Sequence, residues 1–252
     1  MSGNGLLESQ TAVVVGGSSG FGRGVVRALA RRKARVVAVA RDPGRLRALA
    51  EETGAVQEVA DFSDAGAAGR LLQEYRPNLL VLCAGVSPLL RPIHLHTWET
   101  FAEAWEVDTK GTFVWLRDAL LLPLSPGSHV IATSSAAALN GSPLSGAYAG
   151  AKRTNWFLAE YAAAEAARLE LGIRIHCLIP TLSPETRIGR AATEAYADRA
   201  GVDIDSYLRK VGPASTPEAF GDAVLHLYES PEKWPRVAYR LSGDGLSEIA
   251  QS

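Results

Sequence analysis

Thr11-Ala12-Val13-Val14-Val15-Gly16-Gly17-Ser18-Ser19-Gly20-Phe21-Gly22-Arg23-Gly24 is a β-branched run that breaks abruptly into glycines. Its first five residues have the composition of a short buried strand. From 22 to 32 the apolar residues Val25, Val26 and Leu29 return at helical spacing, so the turn opens a helix. Glycines permit positive φ and put no Cβ between the backbone and a close ligand. The helix behind them offers unpaired N–H groups and the positive end of its dipole, which together suit a pyrophosphate. The spacing is Gly16-x-x-x-Gly20-x-Gly22, and the commoner G-x-G-x-x-G does not fit because Val25 takes its last position. Any tight strand-to-helix turn uses glycine. Here the strand before, the helix after and the place near the start of the chain favour a dinucleotide site over a structural turn.

The alternation continues outward from this stretch. Further strands are expected at 35–40 (RVVAVA), 55–59, 79–83 (LLVLC), 129–133, 173–179 and 237–241. Between them fall helical stripes: one after Asp42-Pro43-Gly44 through Leu46, Leu49 and Ala50, then 65–75, 98–122, 148–171 and 217–228. Pro77, Pro123 and Pro126-Gly127 supply the stops. The run at 79–83 is apolar on both faces, which implies cover on both sides of the sheet. Strands joined by crossover helices make a doubly wound, mostly parallel α/β sheet of about seven strands with helices on both faces. No repeat or linker divides residues 1–252, so one domain is expected.

Composition supports that reading and removes several functions. The chain has 252 residues, 47% hydrophobic and 21% charged, enough for a core that needs no disulfide framework or structural metal. Lys+Arg 26 against Asp+Glu 27 gives a net charge of -1, so nothing attracts nucleic acid or an anionic membrane. Cys83 and Cys177 lie in apolar stretches and read as two small buried residues in a reducing compartment. Residues 1–10 lack the basic and apolar regions of a leader, and stretches such as 79–86 are too short to span a bilayer. A cytoplasmic protein is expected.

Three features add chemistry. At the end of the second strand stand Ala40 and Arg41, where a carboxylate would hold an adenosine 2′-hydroxyl. A guanidinium there binds a 2′-phosphate through two charge-assisted bonds, about 1.5–3 kcal/mol, and favours NADP(H); Arg45 lies one helical turn on. Asp61-Phe62, after the third strand, fall beside the adenine if the fold is right, although an Asp opening a turn needs no ligand. The irregular segment 181–212, broken by Pro184, Gly189, Gly201 and Gly212, is too long for a plain connection and leaves the strand end where ligands bind. It reads as a substrate lid rather than a decorative helix pair, with Tyr196 and Tyr207 facing the substrate.

Tyr148-Ala149-Gly150-Ala151-Lys152 puts a phenol and an ammonium on one helical face. A free phenol titrates near ~10. A neighbouring cation, with an oxidised nicotinamide, is expected to lower this by ~2–3 units, roughly 3–4 kcal/mol. Ser135, 13 residues earlier and just after the fifth strand, reaches the same sheet end and would hold the substrate oxygen. Singly, each has a bland reading as a turn cap, a half-buried ring or a solvated amine.

With the glycine turn, these residues resemble the short-chain dehydrogenase/reductase family over nearly the full length. The T-G-x-x-x-G-x-G motif is met from Val15 to Gly22, with valine for threonine. N-N-A-G appears as Leu82-Cys83-Ala84-Gly85, the serine and Y-x-x-x-K as Ser135, Tyr148 and Lys152, the proline-glycine as Pro180-Thr181 and the last turn as Ser242-Gly243-Asp244-Gly245. The resemblance implies a Rossmann-type oxidoreductase that is a homodimer or homotetramer. Residues 11–133 would mainly bind the cofactor, and 134–252 would carry catalysis and substrate. Tyr148 would be general acid/base, Lys152 would hold the nicotinamide ribose and acidify the phenol, and Ser135 would position the carbonyl. NADP(H) would lie against Gly16, Ser18, Ser19, Gly20, Phe21, Gly22, Arg41, Asp61, Phe62, Cys83, Ala84, Gly85, Pro180 and Leu182, with Tyr148 and Lys152. The family's catalytic asparagine falls at Asp108, which keeps shape and acceptor capacity but cannot donate and can carry charge. A preserved helix geometry and water relay with an altered pH profile are expected.

The leading expectation is reversible hydride transfer between NADP(H) and a small alcohol/carbonyl pair, in the reductive direction in the cell. A sensor that binds NADP without turnover, and a lyase or epimerase on the same fold, are the alternatives. His94 and His96 lack a third ligand and read as surface or pocket-rim residues, so no metal is expected. Trp98, Trp105, Trp115 and Trp156 read as core or interface packing.

Overall fold

A computed structural model describes residues 7–122 and 124–249. The expectations for residues 1–6 and for Pro123 as a helix stop lie outside the described residues.

The β-branched runs become strands β1 (Thr11–Val15), β2 (Arg35–Ala40), β3 (Val56–Val59), β4 (Leu79–Leu82), β5 (His129–Thr133) and β6 (Arg174–Pro180), joined by β7 (Ala238–Ser242) and β8 (Gly245–Glu248). The sheet order is β3-β2-β1-β4-β5-β6-β7-β8. All neighbours are parallel except the hairpin β7–β8. The sequence predicts about seven strands, and the eighth is the difference. Its residues GLSE alternate poorly and lie half-exposed at the sheet edge, so no apolar period marks it.

The helices are α1 (Gly20–Arg31), α2 (Pro43–Thr53), α3 (Ala65–Tyr75), α4 (Trp98–Ala104), α5 (Lys110–Leu121), α6 (Ala137–Asn140), α7 (Gly146–Arg168), α8 (Arg187–Ala200), α9 (Ile204–Val211) and α10 (Pro217–Glu229). The helix expected over 98–122 is divided. Between α4 and α5, Trp105–Thr109 form one π-helical turn. Such turns insert a residue without ending the helix and recur at functional sites. The segment 181–212 holds α8 and α9.

Strand alternation builds the two faces of the core. Val13, Val15, Leu80, Leu82 and Val130 point to the side covered by α3, α5 and α7. Ala12, Val14, Leu79, Val81 and Ile131 point to the side covered by α1 and α10. Each buried Val or Leu side chain contributes about 1.5–3 kcal/mol. Helices α1 and α10 touch through backbone: a Cβ on Gly24 would come 1.9 Å from the Pro217 carbonyl oxygen, and one on Gly221 2.6 Å from that of Gly24.

Chain order reverses between β1 and β4. In an open α/β sheet the crevice outside the strand ends at such a switch point is the ligand site.

Candidate active site

A cavity of about 800 Å³ opens at that switch point. Its wall includes the glycine turn, Arg41 and Arg45, the ends of β4 and β5, Tyr148 and Lys152 on α7, and much of α8. Every expected site residue except Gly22 and Asp108 lines it: Gly16, Ser18, Ser19, Gly20, Phe21, Arg41, Asp61, Phe62, Cys83, Ala84, Gly85, Ser135, Tyr148, Lys152, Pro180 and Leu182. Gly22 acts from behind the wall. A Cβ there would lie 2.2 Å from the Gly16 carbonyl oxygen, so the turn closes only on glycine.

The turn has the shape of a phosphate cradle. Gly16 has φ +82° and would drive a Cβ to 2.5 Å from the Ala84 nitrogen, whereas Gly20, φ +52°, meets nothing nearer than Thr186 at 3.5 Å. Asp42 and Asp64 accept backbone N–H bonds at the starts of α2 and α3, but the Ser19 side chain caps nothing at the start of α1. The first-turn N–H groups of α1 therefore remain available for an anion beside the cavity.

At the end of β2 Arg41 approaches Asp61 at 3.6 Å, with both side chains well exposed. Asp61 also accepts from the Ser63 N–H at 2.8 Å and hydroxyl at 2.7 Å, and these bonds hold its carboxyl below the usual range ahead of any help from Arg41. The turn-opening reading of Asp61 is thus correct alongside its place on the wall. Phe62 is mostly core: its ring packs where Gly111 has no Cβ, and its carbonyl accepts from the Trp115 indole. Cys177 is buried as expected, but Cys83 is half-buried on the cavity wall. Burial pushes both thiols up to about 12.

Beside Lys152 the π turn delivers Asp108, fully buried, against the end of β4. One carboxylate oxygen accepts the Val86 N–H at 2.7 Å; the other faces Lys152 Nζ at 3.0 Å. Gly85 makes this approach possible, since its Cβ would lie 3.0 Å from both oxygens. Asn155 fixes the turn from α7 when its amide nitrogen faces the carbonyls of Asp108 (3.2 Å) and Ala151 (3.1 Å). The Ser134 hydroxyl donates to the Lys152 carbonyl at 2.7 Å. Lys152 Nζ lies 5.5 Å from the centre of the Tyr148 ring.

The expectation of an unusually acidic phenol is corrected among the protein's own groups. Burial pushes Tyr148 above its ordinary value; Lys152 and Ser135 oppose this, while Asp108 and Tyr196 add to it. Burial also pulls on the Lys152 ammonium, but Asp108 and the phenol outweigh it and hold that ammonium above its usual range. Sequence alone identified Asp108 as a departure, yet its contact with Lys152 joins elements far apart in the chain.

On the α8 side of the cavity, Tyr196 of α8 stacks on Tyr207 of α9 with centroids 6.2 Å apart. Its hydroxyl meets those of Ser142 and Ser145 across the cavity. These serines carried no motif and were missed. His96 Nδ1 bonds Thr100, and among the described residues no group of three or more His, Cys, Asp or Glu could hold a metal ion. Of the four tryptophans expected in packing, Trp115 is buried, but Trp98 is 73% exposed.

Residues 10–197 match the short chain dehydrogenase family, and the chain belongs to it. It is 29% identical to a 2,5-dichloro-2,5-cyclohexadiene-1,4-diol dehydrogenase of Sphingobium indicum, covering 98% of this chain and 94% of the relative. A counterpart from a second strain of that species is 28% identical. The crystal structure of levodione reductase superposes with a TM-score of 0.82 at 20% identity, over 94% of this chain and 97% of that one. A short chain dehydrogenase/reductase family protein gives 0.76 at 23%, over the same shares. At such identities the structural likeness shows the fold. The protein is an oxidoreductase of alcohol and carbonyl groups in a family that uses nicotinamide dinucleotides. Among the described residues, no helix is long and apolar enough to cross a membrane.

Proposed function

We propose that this protein is an NADP(H)-dependent reductase of small ketones, reversible toward the corresponding alcohols. The observation that carries the reading is the meeting of Ser135, Tyr148 and Lys152 on the wall of the cavity that the glycine turn opens. When bound, the dinucleotide supplies the hydride that reduces the carbonyl carbon, and takes it back in oxidation. Tyr148 gives its hydroxyl proton to the carbonyl oxygen as the C=O π bond breaks, and recovers it in reverse. Ser135 holds that oxygen. Lys152 binds the cofactor's ribose beside the phenol. General acid catalysis of this kind supplies ~10²–10⁴ in rate, with orientation adding much of the rest.

NADP rather than NAD is favoured by Ala40, which brings no carboxylate, and by Arg41 and Arg45 on the cavity wall. Residues 181–212 form the substrate lid. Ile188, Ala192 and the Tyr196–Tyr207 stack make an apolar wall suited to a cyclic substrate, in line with the ring diol in the relatives' name. A homodimer or homotetramer is supported by the outward aromatic stripes of α5 and α7, with Phe113, Phe157 and Tyr161 exposed.

NADPH fluorescence titration followed by absorbance loss with cyclic ketones tests the reading. Tyr148→Phe should keep NADPH affinity and lose at least ~10²-fold in kcat. Equal turnover by that variant overturns it. Binding without consumption marks a sensor, and an isomer formed without net consumption marks an epimerase.

A further inference from the structure

We propose that Asp108 sets the charge of the proton-transfer site: paired with Lys152, it cancels the ammonium, keeps Tyr148 protonated into alkaline solution, and fits the protein for carbonyl reduction over alcohol oxidation. The inference rests on the reading of Tyr148 as proton donor.

The geometry is specific. Asp108 is 0% exposed and Lys152 4%, with 3.0 Å between their charged atoms. Two opposite charges this close in a dry site are each other's dominant electrostatic neighbour. An amide of the same shape would still accept the Val86 N–H but would bring no charge to the lysine.

The groups facing Tyr148 and Lys152 from the surrounding elements are few. They are Asp108 on the π turn, Cys83 at the end of β4, Cys177 on β6 and Tyr196 on α8. The two thiols are neutral at working pH, since burial lifts them to about 12. Asp108 is therefore the one acidic charge among the described residues set against this pair. With Asp108 the lysine and carboxylate sum to zero, and ionising Tyr148 leaves a net negative charge in a buried site. With a neutral side chain the site starts positive, and ionisation neutralises it. The second case favours phenolate. Ketone reduction needs the phenol, whereas alcohol oxidation needs the phenolate. Asp108 is thus a positioning residue that acts through Lys152.

The test reads Tyr148 directly. The ultraviolet tyrosinate band of the protein minus that of Tyr148→Phe gives the titration of this one phenol, and the same difference is taken in an Asp108→Asn background. We expect a midpoint above the ordinary ~10 in the parent and a fall of about one pH unit or more in Asp108→Asn. The kcat/KM profile for alcohol oxidation should move to lower pH by the same amount. A parent midpoint below 10, or an unchanged midpoint in Asp108→Asn, overturns the inference. Asp108→Ser supplies a second neutral variant should the amide fail to fold. Full turnover by Tyr148→Phe would instead overturn the proposed function, a result the ultraviolet titration does not depend on.

Discussion

Arg41 is uncommitted in a way that matters. Its side chain is 66% exposed and its contact with Asp61 is 3.6 Å long, a surface pair worth about 0–1 kcal/mol. Asp61 is already satisfied by Ser63, so the guanidinium can turn to a phosphate without stranding a buried charge. Arg41→Ala should therefore weaken NADPH binding roughly tenfold to a hundredfold and leave NADH binding unchanged. Fluorescence titration with both nucleotides checks this, and equal losses for the two would show that Arg41 reads no 2′-phosphate.

Among the elements, β5 and β6 carry a second electrostatic feature remote from the cavity. His129 and His176 lie on neighbouring strands with ring centres 5.8 Å apart. Burial pushes both down to about 4; the other imidazole adds to this for His129, and Arg174 does so for both. In the unfolded chain each titrates near ~6.5, so the unfolded state binds more protons between about 4 and 6.5. Stability from this pair is complete above ~6.5 and is lost as pH falls toward 4. Denaturant midpoints measured from pH 7 to 4.5 should drop steadily, and His176→Gln should make the slope shallower; a flat profile would contradict the assignment. The strands bearing these histidines were legible in sequence because β-branched runs bounded by turn residues encode a buried strand locally. Helix α3 was legible to the residue. The π turn was not, because an extra residue within a continuous helical period leaves no compositional trace. The cavity wall was largely legible from the glycine turn and Tyr148–Lys152. The Asp108–Lys152 pair, and the Ser142–Ser145–Tyr196 contacts, arise only when distant elements meet, and the upward shift of Tyr148 comes first from its burial, which the sequence does not show, with Asp108 adding to it.

On the scale of the whole molecule, α5 and α7 pack side by side and turn aromatic residues outward. Phe157 and Tyr161 stack at 5.9 Å, 59% and 63% exposed, and Arg117 covers Phe113. Exposed aromatic surface of this kind is where the proposed homodimer or homotetramer would associate. If the proposed homodimer or homotetramer forms through this face, replacing Phe157 and Tyr161 together by glutamate should lower the sedimentation coefficient to that of a monomer while retaining the fold, since neither ring is in the core; an unchanged coefficient would overturn this face as the interface. The glycine-to-carbonyl crossing of α1 on α10 has a different bearing. It seats the helix behind the glycine turn on one that lies nearly two hundred residues later in the chain. A chain cut before Pro217 strips α1 of the backbone on which Gly24 rests, so the amino-terminal half is not expected to stand as a transplantable module.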